Sequence, residues 1–480
     1  MPKARRVSAA VGAFALTAAV AGVSAGTAVA STSSASTTQA SHTSQALSSL
    51  VPGLLHAKHV TSQPPTTAVC EASFSIACYE PSQIQAAYNL DPLYQRGVTG
   101  RGQTIAIVDS FGSPTIKADL ATFDKTFSLP APPSFNVIQP AGKVPPYDPN
   151  NADMVGWAGE TTLDVEYAHT IAPGANILLV ETPVSETEGT VGFPQIVTAE
   201  NYVIDHHLAN VISQSFSATE QTFGHYKTLA PLRAAFENAA AHHVTVTSAT
   251  GDSGAANTEN DGSTYYLYPT SEWPPTDPLV TAVGGTQLHL NAAGQRTSPD
   301  TVWNDTYSVA TNQFIFGDNG PNPLAGGGGK SIFFARPSYQ DGVKNVTGAT
   351  RGVPDISMSG ACNGAVDVYQ SFGGQPAGWY PTCGTSEATP LFSAVVTLAD
   401  QVAGHGLGVV NPALYALSAA HAPGIVDVTS GNNTVSFTQN GKLYTVKGYR
   451  AGKGYDLASG VGTVNGAYFV PELAAAASRW

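Results

Sequence analysis

A serine that opens a helix, two carboxylates one helical turn apart and an aspartate in a tight turn are the residues of this chain that could do chemistry together. The segment Gly384-Thr385-Ser386-Glu387-Ala388-Thr389-Pro390 precedes an apolar run of helical spacing, residues 391–402. A hydroxyl in the first turn of a buried helix sits at the positive end of the helix dipole, where free backbone N–H groups can stabilise an oxyanion. Ser and Thr are also ordinary helix caps, so the segment alone leaves both roles open. A nucleophilic serine needs a base, and the usual one is missing. None of the twelve histidines stands in a His-Gly-Thr helix start, while His206, His207, His242 and His243 fall at expected helix ends, where a cationic or solvated role is ordinary. Gly159-Glu160-Thr161-Thr162-Leu163-Asp164 instead sets Glu160 and Asp164 on one face of an expected helix. Like charges at that spacing share a proton and titrate apart. Such a pair can serve as general base in mild acid, where imidazole is already protonated. A solvated acidic helix face is the alternative, and Glu166 nearby favours it. The third element is Asp252 in Ser248-Ala249-Thr250-Gly251-Asp252-Ser253-Gly254. Kept protonated, it could donate a hydrogen bond to an oxyanion; an Asx turn is its plainer role.

The elements that must position these groups alternate. Residues 103–109 read as a buried strand ending in Asp109, followed by a turn and a helix over 115–127; helical patterns at 160–169, 194–207 and 229–243 then interleave with strands at 176–181, 211–217 and 244–249. This alternation predicts an α/β fold with a mostly parallel central sheet and helices on both faces. Gly and Pro clusters at 317–329 and 373–381 read as long loops. The Gly-Asp-Ser-Gly stretch with Ser253 as attacker would suit a trypsin-like protease, but that requires an all-β double barrel, against the alternation.

The 480 residues carry 21 Lys+Arg against 34 Asp+Glu, a net charge of −13, which makes nucleic acid and anionic membrane surfaces poor partners. Residues 1–30 read as an export signal: Arg5 and Arg6 precede an Ala/Val-rich run that ends in Ala28-Val29-Ala30, so a secreted, extracellular chain starting near Ser31 is expected. The run is too diluted by Ala and Gly for a membrane anchor, and no second span follows. Residues 31–77 read as a flexible leader or short pro-segment, with the catalytic-type domain over 78–480. In an oxidising compartment, proximity in sequence suggests the pairs Cys70–Cys78 and Cys362–Cys383.

Taken in order, GETTLD, SATGDSGA and GTSEATPLFSAVV resemble the sedolisin family of serine-carboxyl peptidases, and the likeness runs from about Tyr79 (YEPSQIQAAYNL) through GGGGKSIFFARPSYQ to the C-terminus. The resemblance implies a subtilisin-like fold and hydrolysis of polypeptide substrates in acid, in endopeptidase or tripeptidyl-peptidase mode. It implies Ser386 as nucleophile, Glu160 as general base, Asp164 as the residue that orients Glu160, and Asp252 as oxyanion donor. Asp109, at the position of the subtilisin triad aspartate, is assigned to turn or core hydrogen bonding. A monomer is expected. Near the C-terminus, Asp427-Val428 and Ala451-Gly452-Lys453-Gly454-Tyr455-Asp456 offer carboxylates and exposed backbone of the kind a hard cation takes, or a Gly-rich turn with solvated aspartates. The resemblance implies one structural Ca2+ held by Asp427 and Asp456 side chains and by the carbonyls of Val428, Gly452 and Gly454. One departure stands out: the family's large folded propeptide has no counterpart of its size in residues 31–78. A non-catalytic binding protein on the same fold is the alternative from another class.

Overall fold

In the computed structural model, residues 55–56 and 61–478 are described; the expected export signal and most of the expected leader lie outside them. Eight strands form the central sheet: β1 (Thr104–Ser110), β2 (Phe135–Ile138), β3 (Asn176–Thr182), β4 (Val211–Gln214), β5 (Thr245–Ala249), β6 (Thr281–Gln287), β7 (Thr301–Val302) and β8 (Ile356–Ser359). The order is β7-β6-β5-β4-β1-β3-β2, with β8 also on β6. Every pairing is parallel except that of β7 with β6. Parallel strands need helical crossovers, so both sheet faces are covered and their strands read as nearly unbroken apolar runs.

β1 shows how the sequence assigns the faces. Ile105 and Ile107 join one core with Ile177, Leu179 and Val211, whereas Ala106 and Val108 join a second core with Leu178, Val180 and Ile212. The period of two sends alternate side chains to opposite sides. The first core is capped by α1 (Ile116–Phe127), α2 (Ala152–Ile171), α5 (Thr385–Ala403) and α6 (Gly466–Ala477); the second by α3 (Phe193–Asp205) and α4 (Ala234–Ala241). Burying one Leu- or Phe-sized side chain in such a core contributes about 1.5–3 kcal/mol, which is why the apolar periodicity alone fixes these layers.

Several expected elements are cut differently. The helix expected over 229–243 is broken into Tyr226–Leu229, a 3-10 turn at Ala230–Arg233, and α4. Pro231 has no N–H to continue the preceding turn. The loop expected over 373–381 contains a strand, Gly378–Cys383, because Trp379 and Tyr380 are buried and pair antiparallel with Ala365–Gln370. The strand expected over 211–217 stops at Gln214, and the Ser215 side chain turns toward α2 and α5. Packed structure also begins before Cys78. A helix, Thr67–Phe74, is capped by the Thr66 hydroxyl and fastened by the Cys70–Cys78 disulfide, with Cys70 buried, and Ile76 just after it is buried too. Both disulfides match the pairing expected from proximity, and Cys362–Cys383 ties the chain after β8 to the residue just before Gly384-Thr385-Ser386. Among the described residues no helix is long and apolar enough to cross a membrane.

Candidate active site

The four expected catalytic side chains come from three elements that meet at the carboxyl ends of the central strands. α2 starts at Asn151, whose side chain accepts from the N–H groups of Asp153 and Met154 at 3.0 and 3.3 Å, and every residue from Met154 to Ile171 is buried. A solvated acidic face is therefore ruled out: Glu160, Asp164 and Glu166 are each 0% exposed. Charged groups are almost never buried this completely unless paired, so such carboxyls hold protons or serve a function.

α5 brings Ser386. Its N-cap is Gly384 at φ +121°, a conformation a side chain would strain, so the chain turns sharply from the strand into the helix. Inside the helix, Pro390 has no N–H to bond the carbonyl of Ser386, four residues earlier. That carbonyl instead accepts from the Ser215 hydroxyl at 3.3 Å, and the same hydroxyl lies 2.7 Å from Asp164 Oδ1. The Ser386 hydroxyl in turn makes a long 3.4 Å contact to the Ser215 carbonyl. Ser215 thus links α2 to α5, a role the serine-rich stretch after β4 does not announce in the sequence.

Both Glu160 oxygens are buried without a completed hydrogen bond. Burial is the main force raising the Glu160 pKa well above the carboxylate range; the nearby Ser386 hydroxyl pulls it down, and Asp109 and Asp252 raise it further. Asp164 is likewise raised, first by burial, then by Asp109 and Glu160, with the Ser215 hydroxyl opposing. Asp109 departs from its expected role. It is fully buried, both its oxygens lack a hydrogen bond, and burial lifts its pKa to about 7, opposed by the Thr161 hydroxyl and aided by Glu181. The end of β1 delivers it beside α2, so Asp109, Glu160 and Asp164 form one carboxyl cluster whose protons are held jointly.

Asp252 follows β5. Its Oδ1 accepts from the Thr385 N–H at 2.7 Å and the Thr385 hydroxyl at 2.9 Å, while Oδ2 is buried and unpartnered. Burial lifts its pKa to about 6, and the two Thr385 bonds oppose the rise. The turn is stitched to the Gly-rich segment by Ala325 N–H to the Asp252 carbonyl, 2.9 Å, and Gly327 N–H to the Gly251 carbonyl, 2.7 Å. Ser253, the trypsin-like alternative, lies in the turn after β5 beside the Tyr265 hydroxyl, in a parallel α/β fold rather than the all-β double barrel that chemistry needs. The described histidines make their contacts elsewhere: His169 meets Asp124 at 3.3 Å and the Pro130 carbonyl at 2.7 Å, and burial lowers its pKa to about 4.

At the C-terminal loop, Asp427 Oδ2 accepts from Gly454 N–H and Asp456 Oδ2 from Gly452 N–H, both at 2.9 Å, while the buried Val428 carbonyl has a weak 3.4 Å bond from Ser459. The Asp427 carboxylate is thus tied to the 452–456 stretch that also carries Asp456. Among the described residues no three His, Cys, Asp or Glu side chains are grouped to hold a metal. Carboxylate and backbone carbonyl oxygens are the donors a hard cation such as Ca2+ takes, so the residue types present fit that ion.

A model of the subtilase family matches residues 147–438. Kumamolisin from Bacillus sp. (strain MN-32) is 32% identical over 410 residues, covering 84% of this chain and 64% of the relative. Sedolisin from Pseudomonas sp. (strain 101) is 28% identical over 433 residues, 88% of this chain and 67% of the relative. Human tripeptidyl-peptidase 1 is 28% identical over 326 residues, 65% of this chain and 51% of the relative. The chain thus spans about half to two-thirds of the length of these relatives. Among solved structures, Pseudomonas sedolisin, a serine-carboxyl proteinase complexed with two molecules of pseudo-iodotyrostatin, superposes with a TM-score of 0.65 at 26% identity, over 83% of this chain and 98% of that one. With the sheet order, the motifs and these matches in agreement, the chain belongs to the subtilase family and, within it, to the sedolisins.

Proposed function

We propose that this chain is a secreted, acid-active serine-carboxyl endopeptidase that cleaves polypeptides through an acyl-enzyme on Ser386. The observation that carries the reading is the complete burial of Glu160 and Asp164 on one helix face, with the Ser386 hydroxyl close enough to lower the Glu160 pKa. In this mechanism the proton that the buried pair holds rests on Asp164, leaving Glu160 as the carboxylate that takes the proton from Ser386 Oγ as that oxygen bonds to the scissile carbonyl carbon. The carbonyl electron pair moves onto oxygen, where protonated Asp252 and backbone N–H groups at the start of α5 receive it. As the tetrahedral centre collapses, the C–N bond breaks and the leaving amine takes the proton from Glu160. Water then repeats the sequence to release the acid product and restore Ser386. Asp164, held by Ser215, fixes the orientation of Glu160 and shares its proton.

Ca2+ would be held by Asp427 and Asp456 with the carbonyls of Val428, Gly452 and Gly454. It would supply cross-linking charge to a loop that packs beside β8 through the Val461 N–H bond to the Asp355 carbonyl, 2.8 Å. Secretion rests on the export-signal pattern of residues 1–30 and is supported by the two disulfides. The test is hydrolysis of an unfolded protein across pH 3–8 by the full chain and by Ser386→Ala. Activity peaking below neutrality and lost in the variant is expected; undiminished hydrolysis by Ser386→Ala would falsify the assignment.

A further inference from the structure

Two buried carboxyls that the peptidase chemistry does not use sit on the elements that carry Ser386. Glu387 follows Ser386 in the first turn of α5, and Asp367 lies in the middle of the strand Ala365–Gln370. Both are 0% exposed, and no oxygen of either carboxyl completes a hydrogen bond. Among the described residues neither forms an ion pair with Lys, Arg or His. A carboxylate buried without cation or donor is among the costliest groups a core can hold, so each is kept there as a neutral acid. At Glu387 burial raises the pKa well above the ordinary 4.5; the Ser359 hydroxyl opposes the rise and Asp252 adds to it. At Asp367 burial raises it well above 3.8, with Glu80 adding to the rise.

Their position ties them to the nucleophile. The chain reaches Ser386 through the strand Gly378–Cys383, in which Pro381 is the register partner of Asp367. The Gly384 N–H then bonds the Gly360 carbonyl at 2.8 Å, and next to it the Ser359 N–H donates to the Tyr88 hydroxyl at 2.6 Å. The Ser359 hydroxyl, at the end of β8, lies near Glu387 and is itself buried without a completed bond. A protonated carboxyl can donate to such a hydroxyl as well as accept from it, whereas a carboxylate only accepts. The titratable groups that face the two acids supply no positive charge: Asp252 and the Tyr79, Tyr88 and Tyr167 hydroxyls about Glu387, Glu80 and the Tyr167 hydroxyl about Asp367. Arg296, which lies over the Tyr88 ring, is engaged by both oxygens of Asp300 at 2.7 and 3.0 Å. The folded chain therefore holds two protons that the unfolded chain gives up. Their stabilisation is complete below about pH 4 and is lost as the pH rises through the raised values.

We propose that Glu387 and Asp367 are positioning residues that hold the segment 378–390 in place only as neutral acids, so that the nucleophile is assembled in acid and loosened towards neutral pH. The consequence for activity rests on Ser386 as nucleophile; the loosening itself does not. The experiment is hydrogen exchange followed by mass spectrometry on the full chain carrying Ser386→Ala, which prevents self-cleavage, at pH 5 and pH 7.5 after correction for intrinsic exchange. Protection of 378–390 is expected to fall by about tenfold or more between the two, while β1 and β3 change by less than about twofold. Glu387→Gln with Asp367→Asn keeps both shapes and cannot ionise, and should remove most of that fall. An equal fall in the double variant, no fall in its parent, or a fall spread evenly over the whole chain overturns the proposal. With Ser386 present, incubation at pH 7.5 before assay at pH 4 should inactivate the double variant about tenfold more slowly than the unaltered chain, from the same starting activity; equal rates overturn it. An unaltered chain inactive at pH 4 counts against the peptidase reading and leaves the exchange result to decide this one. Should the double variant not fold, each single variant is expected to remove part of the fall, and a fall unchanged in both overturns the proposal.

Discussion

Replacing Asp252 by Asn and by Ala separates two things its carboxyl does. Oδ1 holds the start of α5 through the Thr385 N–H and hydroxyl, and an Asn oxygen can keep both bonds. Oδ2, buried and unpartnered, is the atom free to donate to an oxyanion, and only while protonated. With its pKa lifted to about 6, the donor is present in ~90% of molecules at pH 5 and in ~10% at pH 7. An Asn amide donates at every pH. The ratio of Asp252→Asn to parent kcat is therefore expected to rise about ninefold between pH 5 and pH 7, whatever its absolute value. Asp252→Ala removes donor and anchor together and should lower kcat by about 10²–10³ at pH 5, the loss typical of one oxyanion donor. The assay is kcat at saturating unfolded substrate at half-unit pH steps, with active sites counted by a burst titrant. A ratio constant within twofold from pH 5 to 7 refutes the view that Asp252 titrates as the donor.

Glu160→Gln keeps the shape of the side chain and removes the proton acceptor, so kcat should fall by about 10²–10⁴ with little change in KM, read from the same assay. Glu200, on the buried face of α3 beside Gln214, has its pKa raised by burial from 4.5 to about 8. The native state therefore holds a proton that the unfolded chain releases. Stability from this group is full below about pH 4.5 and is lost as pH rises toward 8, by at most roughly 5 kcal/mol. Glu200→Gln should match the parent at pH 4 and exceed its stability by several kcal/mol at pH 8, measured by urea unfolding in a Ser386→Ala background; a pH-independent difference refutes the sign. Chelation with EDTA should lower the melting temperature, and Asp456→Asn should abolish most of that sensitivity, as followed by calorimetry at fixed pH.

The cluster around Glu160 explains why its members had to be seen in three dimensions. Helical spacing placed Glu160 and Asp164 on one face, because i and i+4 superpose on any α-helix. It could not say which face was covered, since α2 carries polar and apolar residues all round and is buried by α5, a helix more than two hundred residues away. The place of Asp109 at a strand end suggests ordinary hydrogen bonding, yet the parallel sheet carries that end to α2, where neither carboxyl oxygen completes a hydrogen bond and only the Thr161 hydroxyl is near. Ser215 gave no signal, because its bond to the Ser386 carbonyl exists only where Pro390 has left that carbonyl free.

What the residues by themselves determined was local and periodic. The unbroken apolar runs of β1 and β3, the helical spacing of α1 and α5, the glycine before Ser386 and the four-residue step from Glu160 to Asp164 all follow from dihedral preference and from which side chains leave water. What only the tertiary structure decided was environment: which carboxyls lose their solvent and which carbonyls lose their partners. A pKa depends on every group within several ångströms in space, and around Glu160 those groups come from segments more than two hundred residues apart, a distance over which sequence pattern carries no positional information.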